Sequence, residues 1–232
     1  MEPVKSSKKK AVVFGATGLI GRELTIQLLH NNDIETVIAL TRRKLPITDQ
    51  KLEQVLISDY SELPGLKDKL LADQFYCCIG TTIKKAGSKE VFKNTDYGIP
   101  VIIAQTAEAL SIPSLVVISS LGADNRSSNF YLRTKGEMEK SVREAYSGNL
   151  KFIRPSLLMG KRDESRFGEK AAIVFMNLFG WLFAGPMRKY RGIRSEDVAG
   201  AMIKTASMPP DCMIYESDTL LDLASNKTKN IK

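Results

Sequence analysis

The chain is poor in the residues that most hydrolases and metalloproteins depend on. Its 232 residues hold one histidine, three cysteines and one tryptophan. His30, Cys77, Cys78 and Cys212 form no CxxC and no HxxxH pair, so the usual zinc-ligand spacings are absent and no metal is expected. A Ser-His-Asp hydrolase would rest on His30 alone, at the tail of a predicted helix, where a histidine is more often a surface residue than a base. Too few cysteines are present for a disulfide scaffold, and the adjacent Cys77 and Cys78 in an apolar run fit a reducing compartment. No apolar stretch precedes the first predicted strand, which leaves no secretory signal; a cytoplasmic protein is the expectation. Long hydrophobic runs are missing too. The most apolar window, 171–187, is broken by Asn177 and ends in Gly-Pro-Met. It falls short of the roughly 20 residues of a spanning helix, so it is read as a buried helix or pocket wall, with Trp181 in it, and a membrane-surface contact is the alternative.

A surplus of one charge sign exists but is badly placed for nucleic acid. Residues 1–10 and 223–232 each carry a net +3, so residues 11–222 keep only +2 of the formal +8. The two ends read as polar tails, and no specific nucleic-acid partner is expected. With 43% hydrophobic and 26% charged residues, the remainder can bury a full core.

Short apolar runs alternate with helix-like segments through the first two thirds of the chain. The runs are Ala11–Phe14, Thr36–Leu40, Gln54–Ile57, Phe75–Ile79, Ser114–Ile118 and Lys151–Ile153. Continuous apolarity suits strands covered on both faces. Helical spacing falls between them at Gly21–His30, Tyr60–Ala72, Glu90–Leu110 and Phe130–Tyr146, and Pro100 should interrupt the third or start a helix. The alternation predicts an α/β, doubly wound parallel sheet of the Rossmann kind over 11–206. Within it, 156–222 forms a small C-terminal substrate-side segment on the sheet's carboxyl edge, including a helix over Ser195–Ala206 with Ser195 as N-cap.

The first strand runs into Gly15-Ala16-Thr17-Gly18-Leu19-Ile20-Gly21 and then a helix. Glycines there permit a tight turn, close approach to a pyrophosphate and close helix–strand packing, with the phosphates at a helix N-terminus. That position makes a dinucleotide the expected ligand. An acid usually takes the ribose hydroxyls roughly 20 residues further on, whereas this chain has Arg42 and Arg43. Two guanidiniums suit a 2′-phosphate, so NADP(H) is expected rather than NAD(H). Asp59 ends the third predicted strand near an adenine position, and Ile79-Gly80-Thr81 ends the fourth, where glycine lets backbone approach a ligand.

The fifth predicted strand ends in Ser119-Ser120, and Tyr131 and Lys135 follow on the next helix, four residues apart and on one face. The Lys135 ammonium can favour phenolate at Tyr131 and lower a pKa that starts near 10. A serine hydroxyl, Ser119 or Ser120, can hold a substrate oxygen that exchanges a proton with the tyrosine.

Taken together, VFGATGLIG, LTRR, CCIGTT, KKAGS, VISSLGAD, FYLRTKGEMEK, IRPSLLMG and KRDESRFGE resemble the short-chain dehydrogenase/reductase superfamily from Val12 to about Ala206. They are most similar to its atypical, NADPH-binding, Tat-interacting-oxidoreductase-like branch. The resemblance implies Tyr131 as proton donor or acceptor, Lys135 as its partner and a ribose ligand, and the glycine turn with Arg42 and Arg43 on NADPH. It also implies cofactor contacts at Gly80 and its neighbours, Leu158 and Arg166. The Ser–Tyr separations, 12 and 11 residues, are shorter than the superfamily's usual spacing; alignment on the strand end favours Ser120. An NADPH-dependent oxidoreductase acting on a small, apolar carbonyl or alcohol compound is the first expectation, and the reading allows a homodimer. The alternatives are an NADPH-binding redox sensor without turnover, and a nucleotide-sugar epimerase or dehydratase.

Overall fold

Seven parallel strands carry the fold. The computed structural model describes residues 8–159, 192–210 and 213–225. The strands are β1 (Lys9–Phe14), β2 (Ile34–Thr41), β3 (Leu52–Leu56), β4 (Gln74–Cys77), β5 (Ser114–Ile118), β6 (Asn149–Arg154) and, near the end, Ile214–Glu216. Their spatial order runs β3, β2, β1, β4, β5, β6 and then the last strand. β1 lies between β2 and β4, both parallel to it, so the direction of winding reverses beside it. A crevice opens beyond the carboxyl ends of the strands at such a reversal.

Alternation along β1 shows why the sheet is covered twice. Ala11 and Val13 face one core with Leu24 and Leu28 of helix α1 (Leu19–Leu29). Val12 and Phe14 face the other, with Phe75, Ile103, Met138 and Phe152. Side chains two apart share a face, so an uninterrupted apolar strand needs a layer on each side.

The helices on the second face are less regular than their spacing predicts. Residues 60–72, read as a helix, form a 3₁₀ helix, Tyr60–Lys69, with Pro64 inside it. Proline lacks the N–H for α-helical bonding, and Gly65 beside it adds flexibility. After the single turn α2 (Ile83–Ala86), residues 90–110 form a helix in three pieces: α3 (Lys89–Lys93), a π-helical turn (Asn94–Gly98) and α4 (Ile99–Ala109). Pro100 stands in the first turn of α4, so the break falls where proline was expected to put it. Helix α5 (Phe130–Ala145) follows, N-capped by Asn129, whose side chain accepts the Leu132 N–H at 3.2 Å.

The C-terminal part extends the same layers. β7 (Leu158–Met159) pairs with β8 (Ile193–Arg194), helix α6 (Ser195–Ala206) packs on α1, and β9 (Ile214–Glu216) joins the edge of β6 before helix α7 (Ser217–Ala224). The sheet therefore has one strand beyond Lys151–Ile153, the last run that the sequence offered as a strand. Three residues after a proline pair are too few to show a strand period. Arg194 is the N-cap of α6, and Ser195 is its first helical residue, buried against the core.

Candidate active site

The glycine turn forms one wall of the crevice. Gly15 has a φ of +82°, a conformation open to glycine, and its carbonyl accepts the Gly18 N–H at 2.9 Å. A Cβ on Gly21 would lie 2.2 Å from that carbonyl oxygen, so only glycine lets α1 start this close to the strand. Ile20 is buried under the turn, while Thr17 and Gly18 are exposed and Ala16 is not. Gly18 is the N-cap of α1 and provides no side-chain hydrogen bond. The first N–H groups of α1 therefore face the crevice without a capping side chain, and an anionic pyrophosphate fits that end.

Two further strand ends flank the turn. At the end of β2, Arg42 and Arg43 are exposed, and buried Thr41 donates its hydroxyl to the Arg43 carbonyl at 2.8 Å, ordering the bend. Asp59 caps the 3₁₀ helix rather than standing free. The Ser61 hydroxyl and backbone N–H hold its carboxyl below the usual range, and Arg42 adds a smaller push. At the end of β4, Ile79 is buried and Gly80 exposed. A Cβ on Gly15 would meet the Cys78 carbonyl and the Ile79 side chain at 3.0 Å. The turns after β1 and β4 thus nearly touch.

α5 brings Tyr131 and Lys135 to this edge. Tyr131 is half-buried, its ring 5.6 Å from that of Phe92 on α3. Lys135 is 2% exposed, and its Nζ lies 2.7 Å from Oδ1 of Asp96, itself 1% exposed. The other oxygen of Asp96 accepts the Thr81 N–H at 2.8 Å. Burial pushes the Lys135 ammonium towards deprotonation, but Asp96 and then Tyr131 more than offset this, and the net direction is upward. Gly80 borders the pair: a Cβ there would sit 3.4 Å from Asp96 and 3.8 Å from the Lys135 Nζ.

The two serines have different fates. Ser119 is buried and donates to Glu139 at 2.5 Å. Glu139 also receives two hydrogen bonds from Arg154, from Nε at 2.8 Å and from a terminal nitrogen at 2.5 Å. Ser120 is half-buried and lines an open cavity of about 500 Å³ with Leu121, Leu132, Pro155, Leu157 and Glu216. Leu158 is half-buried in β7, packed towards the core and opposite Ile193. Arg166, Trp181, the 171–187 window and Cys212 lie outside the described residues. Asp96, Phe92, Glu139 and Arg154 escaped the sequence reading. Asp96 stands in the mostly polar run Lys93-Asn94-Thr95-Asp96-Tyr97-Gly98, which offered no local signal; Glu139 lies four residues from Lys135 and so shares its face.

The sequence profile described as the NAD dependent epimerase/dehydratase family matches residues 11–178. The chain belongs to that family. Within it, the chain is 32% identical to a Debaryomyces hansenii protein, "Protein FMP52, mitochondrial", over 86% of this chain and 88% of that one. It is 33% identical to "Protein HTATIP2" of Rattus norvegicus, over 75% and 73% of the two chains. Among solved structures, the Bordetella bronchiseptica enzyme WbmH in complex with NAD⁺ superposes with a TM-score of 0.68 at 16% identity, covering 94% of this chain and 79% of that one. Family membership agrees with the dehydrogenase/reductase resemblance carried by the motifs, and the superposition with the Rossmann-type sheet. The cytoplasmic expectation is corrected, because several related fungal proteins are named as mitochondrial. Its basis was a missing secretory signal and reduced thiols, and neither separates one reducing compartment from another. Among the described residues no helix is long and apolar enough to cross a membrane, and no cluster of potential metal ligands occurs.

Proposed function

We propose that the protein is an NADPH-dependent oxidoreductase of the short-chain dehydrogenase type that interconverts an apolar carbonyl compound and its alcohol. The carrying observation is the buried Lys135 ammonium, held by Asp96 next to Tyr131 and bordering Gly80 in the crevice of the glycine turn. The α1 N-terminus would take the pyrophosphate, and Arg42 and Arg43 the 2′-phosphate. Arginine forks at the end of β2, with no carboxylate there, support the phosphorylated dinucleotide.

When bound, NADPH supplies the hydride that a carbonyl carbon accepts. Ser120 donates a hydrogen bond to the carbonyl oxygen. As negative charge builds on that oxygen, the Tyr131 hydroxyl gives it a proton. Lys135 stabilises the phenolate left behind, which solvent reprotonates. The reverse reaction uses the phenolate as base.

Replacing Tyr131→Phe should lower kcat by about 10²–10⁴-fold, the range for losing a general acid, with NADPH affinity changed less than about twofold. Turnover is followed by NADPH oxidation against aldehydes, ketones and quinones, and affinity by calorimetry. Full activity in the variant would remove Tyr131 from the chemistry. Tight NADPH binding by the parent with no turnover on any substrate would favour the sensor. A second reading, a nucleotide-sugar epimerase or dehydratase, is favoured by the family profile. Conversion of a nucleoside diphosphate sugar without net cofactor consumption would establish it.

A further inference from the structure

We propose that Asp96 is a positioning residue of this site: it fixes Lys135 as a permanent ammonium beside Tyr131 and locks the turn after β4 to α5. The inference rests on the Tyr131–Lys135 reading and adds to it the group on which that pair depends.

The geometry behind it is a three-way junction. A π-helical turn, Asn94–Gly98, interrupts the long helix, and Asp96 stands in the middle of it. Such turns insert an extra residue and recur at functional sites. One carboxylate oxygen takes the Lys135 ammonium and the other the Thr81 backbone N–H, immediately after Gly80. Asp96 therefore ties the catalytic helix to the strand end along which a cofactor would lie. A lysine this deeply buried loses most of its hydration, and without a counter-charge its ammonium becomes the weaker form.

No other described group can replace that counter-charge. On β4 the neighbour is the Cys77 thiol, which burial keeps neutral by pushing it up to about 12. On α5 it is Tyr131. Glu139, one turn beyond Lys135, is committed to Arg154 and Ser119, and Glu137 pairs at the surface with Lys93 of α3 at 3.1 Å. Asp96 is thus the one fully ionic partner in contact with Lys135 among the described residues.

The decisive measurement needs no cofactor. In ligand-free protein carrying ¹³C-labelled lysine, the Lys135 side-chain signal, assigned by its loss in Lys135→Met, should keep its ammonium shift from pH 6 to pH 10. In Asp96→Asn the same signal should titrate within that range. A parent signal that titrates below pH 9 would overturn the proposal without any variant at Asp96, so misfolding of Asp96→Asn leaves it testable. Kinetics give the second readout. Asp96→Asn should approach parental kcat near pH 6 and lose about tenfold per pH unit above the new ionisation. Placed on Lys135→Met, the same change should alter kcat by less than about twofold, because the two residues act as one unit. A pH profile of Asp96→Asn superimposable on the parent's, or equal losses in both backgrounds, would reduce Asp96 to a structural residue. Failure of the function itself looks different: Tyr131→Phe would stay active while the Lys135 titration behaved as described.

Discussion

Gly21 shows how tightly single residues are bound to the site. Its missing Cβ leaves room for the Gly15 carbonyl, which a methyl group would overlap at 2.2 Å from backbone. Gly21→Ala should lower the melting temperature and weaken NADPH binding at least tenfold, since strand and helix can separate only by opening the glycine turn; calorimetry and thermal unfolding report both. At the other end of the dinucleotide, Arg42→Ala and Arg43→Ala should each weaken NADPH by about tenfold to a hundredfold, the worth of a charge-assisted hydrogen bond, and leave NADH unchanged. Equal losses for the two cofactors would mean that neither arginine reads a 2′-phosphate. Cys77 makes a pH-dependent contribution. Burial raises its thiol to about 12, so the folded chain holds that proton more tightly than the unfolded chain. Its stabilisation is whole below the ordinary thiol range near pH 9 and is lost as pH rises towards 12. The urea midpoint should therefore fall between pH 8 and pH 10.5, and fall less in Cys77→Ala. At this scale the glycines, the arginine pair, Tyr131 and Lys135 could be singled out as candidates because their types and order are local. Asp96 could not, since its meaning comes from Lys135, 39 positions away.

Among the elements, α5 carries the candidate pair Tyr131 and Lys135 and is anchored from both sides. Asp96 holds it to the segment before α4, and Glu139 holds it to the end of β6 through Arg154 and to the end of β5 through Ser119. Glu139 is 5% exposed and Arg154 16%, so the pair is largely shielded from water. Removing one member strands the other. Glu139→Ala should cost about 3–5 kcal/mol in urea unfolding. It should also free Ser119 and disturb the neighbouring Ser120, lowering kcat more than NADPH affinity. The periodicity of 130–146 located this helix correctly, and the six strand runs were placed to within two residues at each end. The segments that differed, 60–69 and 94–98, contain a proline or a π turn, where backbone hydrogen bonding departs from the α-helical pattern that spacing arguments assume.

For the molecule as a whole, a cofactor that binds only the folded sheet must stabilise it. At a hundredfold excess over Kd, NADPH should add about 2.7 kcal/mol. For a domain of this size that corresponds to a rise in Tm of roughly 5–10 °C, and NADH at the same concentration should give a smaller one. No shift with either nucleotide would remove the proposed function and leave the fold intact. Alternation of apolar strands with helices was enough, within the sequence, to determine a parallel doubly wound sheet, because strands buried on both faces and joined by helices have few other ways to hide their side chains. The same sequence placed the tight glycine turn after β1, since the conformation glycine permits is a property of single residues. Only the tertiary structure decided that a seventh strand closes the edge beside β6, that Ser119 is spent on Glu139 while Ser120 lines the cavity, and that a carboxylate lies against Lys135. Those outcomes depend on which distant groups meet once water is excluded, and no spacing along the chain encodes such a meeting.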